Sequence, residues 1–315
     1  MIYILFVIGF VLLILGSNWL VDGSSSLAKR FNIPDLVIGL TIVSFGTSSP
    51  ELLVNIMSSI SGNGDIAIGN ILGSNIFNIL IILGISAIIY PVSVNKTTIW
   101  KEIPFSLLAV IVVWILANDV LLDHSSYSIL TRIDGLILLS FFVIFMYYVI
   151  EISMNNKTET IEVANKMPIW KSISFIIVGL TMLIFGSNWI VDGAVHIAKL
   201  FNMSESVIAL TIISAGTSLP ELATSVVAAY KKNSDIAIGN VVGSNIFNVF
   251  FILGLSATIN PLKFSPSSNI DIIVAIMSTL LLFAFAFTFK GRTINRFEGI
   301  VFIILYIGYV TYLLK

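Results

Sequence analysis

The sequence predicts an all-α polytopic membrane protein, with ten transmembrane helices forming two inverted five-helix repeats and proline-broken helices at the centre. Three observations carry this. Of 315 residues, 57% are hydrophobic and 10% charged, where a soluble domain carries about 25% charged residues. Apolar runs of spanning length fall at about 2–21, 35–59, 66–90, 103–122, 133–150, 172–191, 205–229, 236–260, 270–289 and 297–314. Three motifs then recur at one constant offset of 170 residues.

Taken in order, Gly16 to Gly23 (GSNWLVDG) returns as Gly186 to Gly193 (GSNWIVDG). Gly46 to Glu51 (GTSSPE) returns as Gly216 to Glu221 (GTSLPE). Asp65 to Asn78 (DIAIGNILGSNIFN) returns as Asp235 to Asn248 (DIAIGNVVGSNIFN), and Pro91 answers Pro261. The first repeat covers residues 1–150, with its motif at 44–78. The second covers 172–315, with its motif at 214–248, and the polar stretch 151–171 links them. The N-terminal stretch lacks a basic segment and a clear small-residue cleavage site, so it reads as the first span rather than a signal peptide.

An odd number of spans per repeat turns the second copy upside down. The charges agree. Lys29-Arg30 of the first copy faces Lys199-Leu200 in the second, and Lys231-Lys232 of the second faces Ser61-Gly62 in the first. With both termini outside the cell, 12 of the 16 Lys and Arg fall at cytoplasmic ends and 4 outside. The linker around Asn156 is then cytoplasmic, and the loop around His124 external.

Composition excludes several function classes. A net charge of −1 gives no case for nucleic acid. No cysteine and only two histidines, His124 and His196, argue against a thiolate or multi-histidine metal site. No nucleotide-binding loop appears, and no His or Lys stands as a base beside Ser48 or Ser218, so an enzyme is not expected.

The chemistry gathers on four helical stripes. Ser44, Thr47 or Ser48, and Glu51 share one helix face, as do Ser214, Thr217 or Ser218, and Glu221. Asn70, Ser74 and Asn78 form a second stripe, echoed by Asn240, Ser244 and Asn248. Pro50 and Pro220 break their helices and free main-chain carbonyls, which hydrocarbon tolerates only around a polar cavity. An intramembrane Glu costs several kcal/mol and is a functional candidate by default. Facing each other near the midplane, Glu51 and Glu221 would repel, and no Lys or Arg lies deep in these spans to pair with them. A divalent cation neutralises both. Calcium takes six to eight oxygens at about 2.3–2.6 Å in flexible geometry, which suits these donors better than it suits magnesium.

Other repeated residues have plainer readings. Gly69-x-x-x-Gly73 and Gly239-x-x-x-Gly243 suit close helix packing. Asn75 and Asn245 fall off the main stripe as caps or bridges. Asp22, Asp192, Asp65 and Asp235 lie near the interfaces, Trp19 and Trp189 read as interfacial anchors, and the two histidines as surface residues.

The paired Gly-Thr-Ser-x-Pro-Glu segments, each followed by Gly-Asn-x-x-Gly-Ser-Asn-x-x-Asn, resemble the two α-repeats of the calcium/cation antiporter superfamily, in its prokaryotic sodium/calcium exchanger branch. The resemblance covers essentially the whole chain. It implies that Glu51 and Glu221 ligate Ca2+ with the carbonyls of Thr47 and Thr217. It implies overlapping Na+ sites at the Ser44 carbonyl, Ser48, Glu51 and Ser74, and at the Ser214 carbonyl, Ser218, Glu221 and Ser244, with Asn78 and Asn248 closing the middle. Asn248 stands where some members, including potassium-dependent ones, carry Asp. The first and sixth spans are expected to slide during alternating access. The resemblance further implies exchange of three Na+ for one Ca2+ across the plasma membrane by a single chain, without a cofactor. A proton/calcium exchanger is the alternative, because two nearby carboxylates also carry protons, although the abundant hydroxyls favour sodium. A cation channel would need carboxylates but not inverted, proline-broken helices.

Overall fold

Backbone N–H and C=O groups in hydrocarbon need partners within their own segment, so apolar runs of this length fold as helices. The computed structural model describes residues 2–155, 167–201, 214–288 and 291–313, and most of them are helical. In chain order the helices are α1 (Ile2–Phe31), α2 (Asp35–Thr47), α3 (Ser49–Ile60), α4 (Gly64–Ile89), α5 (Thr98–Leu116) and α6 (Arg132–Asn155). They are followed by α7 (Ile169–Leu200), α8 (Ser214–Thr217), α9 (Leu219–Tyr230), α10 (Ser234–Ile259), α11 (Ser268–Phe285) and α12 (Arg296–Leu313). Among the described residues, eight helices are long and apolar enough to cross a membrane, and the bent pair α2–α3 makes a ninth. The span expected at 205–229 lies partly outside the described residues; α8 and α9 are the part within them.

α1 and α7, the first and sixth expected spans, run well past the ends expected from hydropathy, to Phe31 and Leu200. Hydropathy falls at Asp22 and Ser24, but nothing there stops a helix. α1 ends where Asn32 turns left-handed at φ 53° and the Ile33 amide bonds back to the Ala28 carbonyl at 2.9 Å, a Schellman closure ahead of Pro34. Asp22 therefore sits within α1, where its Oδ1 accepts from Lys231 Nζ at 2.7 Å. The residue matching Lys231 in the other copy is Ser61, which cannot pair in this way with Asp192.

α1 and α7 pack along a seam of small residues. A Cβ on Gly16 would stand 2.8 Å from the Gly179 carbonyl, one on Gly9 2.8 Å from the Gly186 carbonyl, and one on Gly23 2.7 Å from the Ser172 carbonyl. Backbones that close are the membrane substitute for a hydrophobic drive.

α4 and α10 form the centre. Of their most apolar windows 78% and 94% are buried, against 17–39% for the other spanning helices. Each crosses the last helix of the opposite half through paired glycines, Gly84 with Gly299 and Gly254 with Gly135. Two short ribbons, not expected from the sequence, tie the same halves. β1 (Val92–Ser93) pairs antiparallel with β4 (Thr293–Ile294), and β2 (Ile129–Leu130) with β3 (Leu262–Lys263). Two-residue strands carry no period that a sequence could reveal.

The outer hairpins hold carboxylates that sequence reasoning passed over. Glu102 on α5 is buried and bonded by the Tyr148 hydroxyl of α6, and Tyr309 Oη donates to Asp271 at 2.7 Å between α12 and α11. Glu298 reaches back to the start of α12, accepting from the Asn295 amide at 2.9 Å.

Candidate cation site

The site grows from two identical breaks. In a continuous helix Pro50 would leave the Gly46 carbonyl unbonded and clash with it. Instead the chain leaves helical geometry at Ser48 (φ −78°, ψ 10°), and α3 restarts with Pro50 in its first turn, where no amide is needed. The axes of α2 and α3 differ by 48°. Ser218 repeats the break (φ −89°, ψ 9°), with Pro220 opening α9. Glu51 and Glu221 thus occupy the first turns of α3 and α9, where the N-terminal dipole end favours a carboxylate. The C-terminal carbonyl ends of α2 and α8 come to the same breaks, and that end favours a cation.

The two halves exchange hydroxyls. Ser48 Oγ donates to Glu221 Oε1 and Ser218 Oγ to Glu51 Oε1, each at 2.9 Å. Ser74 Oγ reaches Glu51 Oε1 at 3.3 Å and lies 3.2 Å from Ser218 Oγ. Both glutamates are 0% exposed, and Ser44, Thr47, Ser74, Ser244, Asn78 and Asn248 are buried with them. Thr47 Oγ1 meets Asn240 Oδ1 at 3.1 Å, and Thr217 Oγ1 meets Asn70 Oδ1 at 3.5 Å. The Ser44 carbonyl accepts the Ser48 amide at 3.0 Å. Ser214 opens α8, and its side chain lies outside the described residues. Ser48, Glu51, Ser74, Ser218 and Glu221 thus form one hydrogen-bonded cluster; Thr217 is half-buried, Ser244 is buried on α10, and Asn78 and Asn248 bond to Asn245 and Asn75.

Of the expected site residues, five buried side-chain oxygens have no hydrogen-bond partner among the described residues: Glu51 Oε2, Glu221 Oε2, Asn78 Oδ1, Asn248 Oδ1 and Ser244 Oγ. A buried carboxylate oxygen left alone is among the costliest groups a protein can hold. The described partners of both side-chain carboxylates are hydroxyls, with no lysine or arginine among them. Hard, oxygen-only donors of net charge −2 fit a calcium ion or a set of sodium ions, and they do not fit a soft transition metal.

Sequence reasoning missed part of the surrounding shell. Asn55 Nδ2 donates to the Glu51 carbonyl at 3.0 Å, while Asn240 Nδ2 donates to the Glu221 carbonyl at 3.3 Å and to Ser225 Oγ at 2.9 Å. Asn55 and Ser225 stand one helical turn beyond their glutamates, so the polar stripe could have been followed that far. Asn75 and Asn245 do bridge helices, and they bond to the site asparagines themselves.

Over residues 1–151 and 171–315 the chain matches the family described as sodium/calcium exchanger protein. It is 28% identical to the sodium/calcium exchanger MaX1 of Methanosarcina acetivorans, across 99% of this chain and 98% of that protein. It is 35% identical to the inner membrane protein YrbG of Escherichia coli, across 88% and 87%. Among solved structures it resembles the sodium-calcium exchanger NCX_Mj soaked with 2.5 mM Na+ and 0.1 mM Ca2+, at 35% identity and a TM-score of 0.83. That match covers 98% of this chain and 96% of the other.

Proposed function

This chain belongs to the sodium/calcium exchanger family and is a multi-pass membrane antiporter of Ca2+ and Na+, and we propose that both ions use the Glu51–Glu221 centre in alternation. The observation that carries the reading is the pair of fully buried glutamates, bonded across the two halves by Ser48 and Ser218 and each left with an unpartnered Oε2. Ca2+ takes Glu51, Glu221 and the carbonyls of Thr47 and Thr217. Na+ takes the Ser44 carbonyl, Ser48, Glu51 and Ser74 on one side, and the Ser214 carbonyl, Ser218, Glu221 and Ser244 on the other. Asn78 and Asn248 supply neutral oxygens between them.

Exchange follows from electrostatics. Two carboxylates in a low dielectric repel when bare and attract a divalent ion or a pair of monovalent ones. The bare centre is therefore the costly state, and the carrier crosses loaded with one ion species or the other. The remaining architecture is part of the same proposal: ten spans, two inverted repeats divided by the 151–171 linker, both termini outside the plasma membrane, and one chain as the working unit. The charge bias and the 170-residue offset support it.

The test is purified protein in sodium-loaded liposomes, with sodium, potassium and proton gradients imposed separately. Calcium uptake is expected to follow the sodium gradient alone; uptake driven by protons without sodium would replace this reading with proton exchange. With two fixed negative charges, one Ca2+ leaves the centre neutral, and a third Na+ on hydroxyls and carbonyls leaves it positive. Calcium extrusion should then carry inward positive current, worth about 2.3 kcal/mol per charge per 100 mV. A reversal point that ignores membrane potential would mean two-for-one exchange.

Orientation has its own measurement. The chain contains no cysteine, so single cysteines at Asn155 and Ser125, both exposed, report sidedness directly. An impermeant reagent outside the cell should label position 125 and spare 155; the reverse pattern would invert the topology.

A further inference from the structure

We propose that Asn75 and Asn245 are positioning residues that fix which end of the Asn248 and Asn78 side chains faces the ions. The inference rests on the reading of Asn78 and Asn248 as neutral ligands and goes beyond it. A side-chain amide is nearly symmetric in shape, yet one end attracts a cation and the other repels it. Something must decide the orientation.

The decision starts at the backbone. Where α4 and α10 cross, Asn75 Nδ2 donates to the Asn245 main-chain carbonyl and Asn245 Nδ2 to the Asn75 carbonyl, both at 3.2 Å. A carbonyl only accepts, so each bridging amide must present its NH2 there and turn its oxygen away. That oxygen also only accepts. Asn248 Nδ2 meets Asn75 Oδ1 at 3.0 Å, and Asn78 Nδ2 meets Asn245 Oδ1 at 2.9 Å. With their NH2 groups committed to the bridge, Asn248 and Asn78 can only turn Oδ1 the other way, and both Oδ1 atoms are buried and unpartnered. Flipping either amide would set oxygen against oxygen at the bridge and an N–H against the ion. Backbone polarity is thus relayed through two amides in each direction, and all four side chains are buried.

The same relay discriminates at position 248. A carboxylate there has no N–H for Asn75 Oδ1 and would face it with like polarity. The bridge therefore favours a neutral amide, which keeps the centre at two fixed charges.

A double-mutant cycle tests this, read as the Ca2+-induced rise in melting temperature and as the KM for Ca2+ in exchange. Asn248→Ala alone should weaken Ca2+ about tenfold or more, by removing one ligand. Asn75→Leu alone should weaken it comparably, because the Asn248 amide loses its fixed polarity. Together they should be no worse for Ca2+ than Asn248→Ala alone, since Asn75 acts only through Asn248. Full additivity, or an Asn75→Leu variant with wild-type KM, would overturn the positioning role while leaving the central ligands standing. An Asn248→Ala variant with unchanged Ca2+ affinity would overturn the ligand reading itself. If Asn75→Leu does not fold, the mirror cycle of Asn245→Leu with Asn78→Ala reads the same relay.

Discussion

Glu51→Gln and Glu221→Gln are each expected to abolish calcium exchange in a protein that still folds. Each replaces one of the two charges that offset the cation's lost hydration, in a centre where both carboxylates are 0% exposed. Breaking a buried charge pairing costs about 3–5 kcal/mol. That corresponds to a loss of more than about a hundredfold in affinity. The amide keeps the hydrogen bond from Ser218 or Ser48, so the variants should remain assembled. Glu102→Gln is the control, because Glu102 is equally buried but bonded to Tyr148 in the α5–α6 hairpin. It should retain exchange. Calcium transport at the normal rate by either central variant would sink the two-carboxylate centre.

Gly243→Leu is expected to lower the melting temperature and eliminate exchange together. A Cβ at Gly243 would stand 2.8 Å from Ser44 Oγ, 2.9 Å from Leu40 Cα and 3.0 Å from the Leu40 carbonyl. One turn earlier, Gly239 lies against the Leu36 carbonyl and Gly39 Cα in the same way. Most of these neighbours are backbone, so relief requires α10 to move off α2. Overpacking of this kind costs about 1–3 kcal/mol, occasionally more. The functional loss should exceed what stability alone implies, because Ser244 is the next residue and Ser44 is the neighbour that must give way. Gly308→Leu offers the comparison. It is an exposed glycine on α12 with no described atom within 4 Å of its Cβ position, and it should change neither measurement. Normal exchange by Gly243→Leu would show that the α2–α10 approach does not shape the site.

The membrane class, the repeated motifs and the two carboxylates that the fold buries were all legible in the residues themselves. Hydropathy is a local sum, an exact offset of 170 residues needs only the string, and a carboxylate after Pro in an apolar run is conspicuous without coordinates. The Gly239-x-x-x-Gly243 pattern likewise announced a close helix approach. What lay beyond the sequence was the pairing of groups far apart in the chain. That Ser48 serves Glu221 and Ser218 serves Glu51, rather than each its own neighbour, depends on how two broken helices face each other. Asn75 and Asn245 read as caps or bridges because their partners are 170 residues away, and a helical period says nothing about which backbone carbonyl waits on another helix. The extension of α1 to Phe31 was hidden for a related reason. Hydropathy marks where hydrocarbon ends, whereas a helix ends where the backbone is capped, and Asn32 with its left-handed turn lies well beyond Asp22. The two ribbons and the Glu102–Tyr148 contact are tertiary in origin as well. The sequence determined by itself which groups are costly to bury; only the tertiary structure decided which of them satisfy one another, because those partners meet only when distant helices pack.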